Sequence, residues 1–231
     1  MNRQSPIDIC SQNICYLPKL CKAEKLNIDY NKGDCHELMT TDHGWMVKVR
    51  TDCQTVLQAD HLTSEYKLAQ FHAHWARDGS RGSEHLLDGK ALSGEMHFVF
   101  WNTRYGSFEE AVKHGDGLAV LGVFLKEGEH ANDAYQPLVE CVQKALATKG
   151  SVAVPADFDV LSLIPKLEQR DFCTYLGSLT TPPFAECVVW TVLKTPVNIS
   201  KEQLDVFRQI VSDNVRPCQE LYGRVVKSSY L

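Results

Sequence analysis

Two short segments of the sequence carry histidines at a spacing that suits a metal ion. Gln70–Trp75 contains His72 and His74, and Glu95–Trp101 contains His97. If each segment is a β-strand, alternate residues point to the same face, so His72 and His74 share one side with their Cα atoms about 6.6 Å apart. If the two strands are neighbours, the three imidazoles converge on one point.

An H-x-H pair alone is more often two half-buried polar residues on an amphipathic strand than a metal site. Here Gln70 and Glu95 lie two residues before His72 and His97, and therefore on the same faces. Each can accept a hydrogen bond from the ring nitrogen that does not bind metal. Three neutral imidazoles suit Zn²⁺ and leave its fourth position for water, as in catalytic zinc sites. We therefore predict Zn²⁺ as the cofactor, with His72, His74 and His97 as its ligands.

The residues around these histidines predict the strands that must position them. Runs rich in β-branched and aromatic residues recur along the chain. We predict strands at Trp45–Val49, Tyr66–Trp75, Glu95–Trp101, Ala119–Leu125, Phe172–Leu176 and Cys187–Leu193. Helices are predicted to begin after the capping residues Ser107 and Ser200 and to span Ala134–Thr148.

Composition places the chain among globular proteins. It has 231 residues, of which 44% are hydrophobic and 23% charged, without internal repeats or a long linker, so we predict a single domain over residues 1–231. The net charge is −5, and no basic stripe is present that could neutralise phosphates. The longest apolar run, Leu118–Leu125, is too short to cross a bilayer. We expect neither a nucleic acid nor a membrane as partner.

The cysteines and the first residues bear on the compartment. Nine cysteines are present, and no two have the C-x-x-C spacing of a zinc knuckle or a redox pair. Free, mostly packed thiols in a reducing compartment are the better interpretation. Met1–Pro6 is polar and lacks the apolar run of a secretory signal, so we expect a cytoplasmic protein.

Several motifs closely resemble those of the α-class carbonic anhydrases. They are Gln70–Trp75, Ser83–His85, Glu95–Asn102 and Tyr175–Pro183, with weaker matches at Arg3–Ile9 and Gly117–Gly122. The resemblance covers nearly the whole chain. It implies a mainly β (α+β) fold: a central, twisted, mostly antiparallel sheet of about ten strands, short peripheral helices, and zinc in a conical cleft.

The same resemblance implies a function. The chain would be a zinc lyase that reversibly hydrates carbon dioxide to bicarbonate and a proton, with zinc making hydroxide available from water near neutral pH. By this resemblance, Thr180 orients the hydroxide and donates its own hydroxyl proton to Glu84, since an ionised carboxylate can only accept. A role in pH homeostasis, inhibition by sulfonamides or anions, and a monomeric state are further expectations.

The remaining roles also follow from the resemblance. Carbon dioxide is uncharged, so its pocket beside the zinc should be apolar. The matching residues are Val99, Val120, Leu179 and Trp190. Thr181 is the expected contact for bicarbonate or inhibitors. His43 matches the family's proton shuttle, and the pKa of an imidazole suits transfer to and from a group near neutrality.

The chain departs from the family at some positions. Thr41 and Met46 replace the amides that commonly flank the shuttle, and the Arg-Gln-Ser-Pro motif stands almost at the first residue, where relatives usually have a longer segment. Because the apolar Met46 cannot hold a chain of water molecules, we expect slower proton transfer than in fast relatives. Phe184–Ala185 offers no cysteine for the disulfide of secreted relatives, which also favours the cytoplasm.

Two alternatives to an active enzyme are considered. One is a catalytically weak or inactive carbonic-anhydrase-related binding protein. The other is an alternative or incomplete gene product whose missing N-terminal segment leaves the cleft poorly ordered. The first is disfavoured because a binding protein has no physical need for the complete set His72, His74, His97, Glu84 and Thr180.

Overall fold

The computed structural model describes residues 2–231 and is dominated by β-strands. The strands are β1 (Asp8–Ile9), β2 (Cys15–Tyr16), β3 (Asn27–Asp29), β4 (Cys35–Thr41), β5 (Gly44–Val49), β6 (Val56–Gln58), β7 (Tyr66–Trp75), β8 (Leu86–Leu87), β9 (Gly94–Asn102), β10 (Leu118–Gly128), β11 (Ser151–Ala153), β12 (Phe172–Gly177), β13 (Val188–Leu193), β14 (Val197–Ser200) and β15 (Lys227–Ser228). The α-helices are α1 (Phe108–Ala111), α2 (Gln136–Thr148) and α3 (Lys201–Arg208), and short 3₁₀ turns connect several elements.

One sheet of 13 strands organises the fold. Its main path runs β11-β4-β5-β7-β9-β10-β13-β12-β15-β2, with β3, β6 and β14 paired beside it. Most pairs are antiparallel, while β10 pairs in parallel with β13 and β14, and β15 with β2. β1 and β8 form a separate parallel pair. The predicted mainly β fold with short helices is confirmed, and the sheet is larger than the expected ten strands because short strands add to its margins.

The predicted elements are present with small shifts at their ends. All six predicted strands occur, and β10 extends furthest beyond its prediction, to Gly128. The side chain of Ser107 caps α1 by accepting a hydrogen bond from Glu110 N at 3.2 Å, and Ser200 forms a capping box at α3. β4, β14 and the two- and three-residue strands were not predicted. The shortest strands exist through a partner strand rather than through a pattern of their own, and the pairing of β4 with β5 shifts between Cys35 and Glu37, which breaks the alternation of β4.

The central strands separate two apolar clusters. Phe71 of β7 and Phe98 of β9 stack at 5.3 Å between ring centroids, on the side packed against α2 and α3. Val99 of β9 and Val120 of β10 belong to the second cluster. Burial of both faces explains why β9 and β10 read as nearly continuous apolar runs.

Strand β7 contains an irregularity that the sequence analysis did not predict. Its pairing with β9 shifts between Leu68 and Gln70. Leu68 packs in the same apolar cluster as Phe71, which strict alternation from Leu68 would forbid. A β-bulge at Ala69 therefore switches the faces of β7, so that Gln70 and the residues alternating after it face away from that cluster.

All nine cysteines are free thiols, and six of them are buried: Cys21, Cys35, Cys53, Cys141, Cys173 and Cys187. Within residues 2–231, no helix has both the length and the apolarity that crossing a bilayer requires.

Candidate active site

The pairing of β7 with β9 brings the three predicted ligands together. His72 lies directly opposite His97, and His74 lies opposite Glu95 on the same face. The ring centroids are 5.1 Å apart for His72 and His74, 5.4 Å for His72 and His97, and 4.6 Å for His74 and His97. One nitrogen from each ring lies within 4.8 Å of the other two. The side chains are thus positioned by two rigid central strands rather than by loops.

Hydrogen bonds fix which nitrogen of each ring is available. Nδ1–H of His72 donates to Oε1 of Gln70 at 2.8 Å, and Nε2–H of His97 donates to Oε1 of Glu95 at 2.8 Å. Nδ1–H of His74 donates to the main-chain carbonyl of Asn214 at 2.9 Å. Because each acceptor is an oxygen, the opposite nitrogen of each ring carries a lone pair.

The available nitrogens fit a metal ion. His74 is 3% exposed, and its Nε2 has no hydrogen-bond partner within the described part of the chain. An unpartnered buried nitrogen is costly unless something binds it. Burial lowers the pKa of His72, His74 and His97, so all three rings are neutral near pH 7. Three neutral imidazoles, each held in place by a hydrogen bond from the ring nitrogen that does not face the other rings, are a suitable ligand set for zinc.

Glu95 connects the ligand His97 to its surroundings. Its Oε1 accepts from His97 and from Nδ1–H of His85 at 2.7 Å, and its Oε2 accepts from the main-chain N–H groups of Glu84 and His85. Burial alone would raise the pKa of Glu95, but the interactions with His85 and His97 outweigh it and hold that pKa well below its usual value. His85, Glu95 and His97 also lie close enough to suggest a second metal group, yet their facing atoms already bond to one another.

A chain of buried polar groups continues beyond His85. Nε2 of His85 is 2.6 Å from the hydroxyl of Tyr175, which donates to Oγ of Ser5 at 2.9 Å. Oγ of Ser5 also accepts from the N–H of Ser178 at 3.0 Å. No role was predicted for His85, Tyr175 or Ser5, although each lies within a motif that carried the resemblance.

The carboxyl group of Glu84 lies close to two of the candidate ligands, His74 and His97. Its Oε1 accepts from the main-chain N–H of Arg216 at 2.8 Å, while Oε2 lies 3.4 Å from Nε2 of His74 and has no hydrogen-bond partner within residues 2–231. Burial raises the pKa of Glu84 to about 7, opposed by His97, the Thr180 hydroxyl and the Arg216 N–H. Thr180 acts on this carboxyl at short range, although no hydrogen bond of ordinary geometry joins them here.

The histidines open onto a cleft of about 610 Å³. His43, His72, His74, Thr180 and Thr181 are among the residues that line it. His43 is exposed at the turn between β4 and β5. The apolar side chain of Met46 also lines the cleft, as expected from the departure noted in the sequence.

The predicted carbon dioxide pocket is a neighbouring set of buried apolar side chains. Val120 lies opposite Val99 on one side and opposite Trp190 on the other, and the ring of Trp190 is 4.8 Å from that of His97. Leu179 packs, partly buried, against the same cluster. Of these four side chains Trp190 contacts a candidate metal ligand, and none of the four lines the open cleft.

Asn214 is the functional residue that sequence reasoning could least have found. Its main-chain carbonyl orients His74 from 140 positions away along the chain, and a main-chain group has no side-chain signature. Its side chain also donates from Nδ2 to the carbonyl of His43 at 2.8 Å. The structure thus joins one predicted ligand and the predicted shuttle through a residue that lacks an obvious motif.

Comparisons with known proteins agree with this geometry. The family of eukaryotic-type carbonic anhydrases matches residues 1–230. Carbonic anhydrase 1 of Oryctolagus cuniculus is 38% identical over 241 aligned residues, covering 99% of this chain and 100% of the relative. Carbonic anhydrase 3 of Homo sapiens is 36% identical, covering 98% of this chain and 89% of the relative, and that of Sus scrofa is also 36% identical, covering 99% and 90%.

These matches favour the active enzyme over the inactive binding protein considered above. Zinc is the cofactor of this family, and the group formed by His72, His74 and His97 is able to bind it. Small-molecule substrates and inhibitors follow from the same membership. The chain belongs to the eukaryotic-type carbonic anhydrases, zinc lyases that hydrate carbon dioxide.

Proposed function

We propose that His72, His74 and His97 hold the zinc ion for carbon dioxide hydration, with Gln70 and Glu95 orienting two of the rings. One observation carries this proposal: in each ring one nitrogen is hydrogen-bonded to an oxygen, and the other nitrogens of the three rings lie close together. When bound, zinc acts as a Lewis acid and lowers the pKa of a coordinated water. The remaining groups of the site then position the reactants and export a proton.

Glu84 and Thr180 are proposed to aim the nucleophile. One oxygen of Glu84 is already held by the main-chain N–H of Arg216, so the other is the free acceptor. When Glu84 is ionised it can only accept, so the Thr180 hydroxyl must donate to it. The oxygen of Thr180 is then left to accept a hydrogen bond from the attacking group, which fixes the direction of its lone pair.

Carbon dioxide is proposed to occupy the apolar side of the site. Val99, Val120, Leu179 and Trp190 present no hydrogen-bonding group of their own except the indole N–H, which donates to the carbonyl of Ser178 at 3.0 Å. A nonpolar molecule is therefore favoured there over water. Thr181, which is exposed on the cleft wall, is the proposed contact for bicarbonate and for sulfonamide or anion inhibitors.

His43 is proposed to carry the proton from the cleft to solvent. Its exposed position at the rim suits this role, and an imidazole exchanges protons readily near pH 7. We expect His43→Ala to lower kcat at low buffer concentration, to leave kcat/KM unchanged, and to be restored by added imidazole. His130→Ala is the matched control, because His130 is exposed and does not line the cleft. An unchanged kcat in His43→Ala would remove His43 from the mechanism.

The decisive experiment measures the rate of carbon dioxide hydration from pH 6 to pH 9 on protein whose zinc content is determined in the same preparation. We expect a rate that scales with zinc and rises through an inflection near neutrality. His97→Ala, measured for zinc content as well as for rate, is expected to lose both. Full zinc occupancy without a rate above buffer would contradict the assigned roles.

The domain organisation, oligomeric state, compartment and cellular role of the enzyme are also proposed. We infer one domain over residues 1–231, a monomer, and a cytoplasmic role in pH homeostasis. Free thiols throughout the core are typical of a reducing compartment. The main path of the sheet ends in the short strands β11 and β2, which offer little edge for pairing with a second copy. Sedimentation equilibrium tests the monomer, and fractionation of the source cells tests the compartment.

A further inference from the structure

A second cavity, of about 460 Å³, lies on the reverse of the sheet. Thr174 of β12 lies opposite Thr191 of β13, and Leu176 lies opposite Val189. Thr174, Leu176 and Val189 line the cavity. Trp190, the neighbour of Val189 in β13, points to the other face, where it contacts His97. Thr174, Leu176 and Val189 therefore face away from the metal ligands, and Tyr175, which also lines the cavity, is the strand residue that reaches the ligand side, through its hydroxyl at His85.

The charged groups around this reverse cavity are mostly basic. Arg3, Arg224 and Lys227 line it, and Lys227 forms no ion pair with any residue in the described range. Arg224 donates only to main-chain carbonyls, at Leu176, Glu220 and Leu221, and the guanidinium of Arg3 donates to the carbonyl of Glu186. Neutral carbonyls satisfy the donors but leave the positive charge uncompensated.

The nearby acidic groups are already engaged. Asp116 lines the cavity, but its carboxylate accepts from Tyr105 at 2.7 Å and Thr63 at 2.9 Å, and pairs with Arg104 at 2.5 Å. The Glu186 carboxylate, which lies near Arg3, accepts from the main-chain N–H of Arg3 at 2.9 Å and from the amide of Gln4. These neutral donors leave the charge of Glu186 in place, so Glu186 offsets one cation, whereas Asp116 is balanced by Arg104. The three basic residues of the lining therefore exceed the acidic groups, and the cavity keeps a surplus of positive charge.

The rest of the lining is apolar. Leu176 is 45% exposed and Val225 is 56% exposed, and both border the cavity together with Leu20 and Val189. His61 contributes a ring that packs in a tilted orientation against Phe172, with 4.7 Å between ring centroids, and whose Nε2 is 2.8 Å from the Thr191 hydroxyl. Its Nδ1 is buried and has no hydrogen-bond partner among residues 2–231. An apolar ligand body would cover side chains that are now partly in water.

We propose that the reverse cavity binds a small organic monoanion whose carboxylate meets Lys227 and Arg224 and whose apolar body packs on Leu176, Val189 and Val225. The cavity volume lies in the usual range for small-molecule sites, about 300–1,000 Å³. Basic side chains beside an apolar lining favour this class over inorganic anions, which have no apolar surface to bury, and over neutral ligands, which leave the cations unpaired. The site is independent of carbon dioxide hydration.

Benzoate is a suitable probe, titrated into the zinc enzyme with a saturating sulfonamide so that the metal is not available to it. Calorimetry is expected to show one site, and Lys227→Met is expected to weaken binding at least tenfold. Lys126→Met is the matched control, because Lys126 is an exposed lysine in β10 that does not line the cavity. Benzamide, which has the same ring without the charge, is expected not to bind, and inorganic phosphate is expected to bind more weakly than benzoate.

Amide chemical shifts provide the location and do not depend on a variant. Benzoate is expected to shift the signals of Thr174, Val189 and Val225. Val225→Glu is a second variant at an exposed position, where a like charge is expected to abolish binding without disturbing the fold. The proposal is overturned if sulfonamide-saturated enzyme does not bind benzoate, if the shifted signals lie elsewhere, or if Lys227→Met and Lys126→Met bind benzoate equally.

Discussion

Replacement of Asn214 by alanine tests how the site is held together. Oδ1 of Asn214 accepts from the N–H of Trp75 at 2.7 Å, and Nδ2 donates to the carbonyls of His43 at 2.8 Å and Ala73 at 3.0 Å. The main-chain groups of Asn214 make two further bonds, with Nδ1 of His74 and with the carbonyl of Trp75. Alanine removes the first three bonds and keeps the last two.

The expected loss in the free energy of unfolding follows from those three hydrogen bonds. Each contributes about 1 kcal/mol net, so Asn214→Ala is expected to lower the free energy of unfolding by about 3 kcal/mol. Trp75 and Ala73 are buried, so water cannot easily replace the lost partners. For a domain of this size the melting temperature is expected to fall by about 6–12 °C.

The effect on catalysis is expected to be selective. The carbonyl that orients His74 remains, so kcat/KM for carbon dioxide is expected to change little. The turn that carries His43 loses its anchor, so kcat at low buffer concentration is expected to fall and to recover with imidazole. Stopped-flow hydration assays separate the two constants, and guanidinium unfolding of the zinc-loaded protein gives the stability.

Asn198→Ala supplies the control for both measurements. Asn198 is exposed in β14, and its side chain makes no hydrogen bond within the described chain. Its replacement is expected to change stability by less than about 0.5 kcal/mol. Equal stabilities of the two variants would refute the reasoning, and so would a parallel fall of kcat and kcat/KM in Asn214→Ala.

Two further predictions concern buried groups away from the cleft. Tyr175→Phe leaves Nε2 of His85 without its partner, so we expect the free energy of unfolding to fall by about 2 kcal/mol and zinc to dissociate faster, as measured with a chelating dye. Tyr222→Phe, at an exposed position, is the control. Equal behaviour of the two variants would contradict the prediction. Burial lowers the pKa of His61 to about 4, below its usual 6.5, so the neutral ring stabilises the fold above pH 6.5 and this contribution is lost as the pH falls towards 4. Denaturation between pH 7 and pH 4.5 is therefore expected to show a steeper loss of stability in the parent chain than in His61→Gln, and parallel curves would disprove it.

The site was predictable where its parts share one strand. Gln70 and His72, or Glu95 and His97, are two residues apart, so strand alternation alone places each pair on one face. Partners supplied by distant segments could not be predicted in this way. Tyr175 reaches His85 across 90 positions, and nothing in the local sequence of either residue indicates the other.

The fold, like the site, was predictable where a strand has its own sequence pattern and not where a distant partner determines it. Six of the longer strands have a clear β pattern and were predicted with ends within three residues of those observed, whereas the seven-residue β4 was not predicted. The two residues of β1 have no such pattern and form a strand only because β8 pairs with them. Expectations for Val120 and Trp190 came from family resemblance, since a buried apolar residue near a metal looks like any other core residue in sequence.

The bulge at Ala69 absorbs the one residue of β7 that has no partner in β9 at this point. Deletion of Ala69 would place Leu68 and Phe71 two positions apart, so regular pairing with β9 would keep both side chains in the aromatic core and the two histidines on the opposite face. Loss of the bulge without loss of the residue would instead turn either the aromatic core or the histidines to the wrong side. A related sequence with a one-residue gap at this point is therefore expected to keep its metal centre and to have a regular strand in place of the bulge.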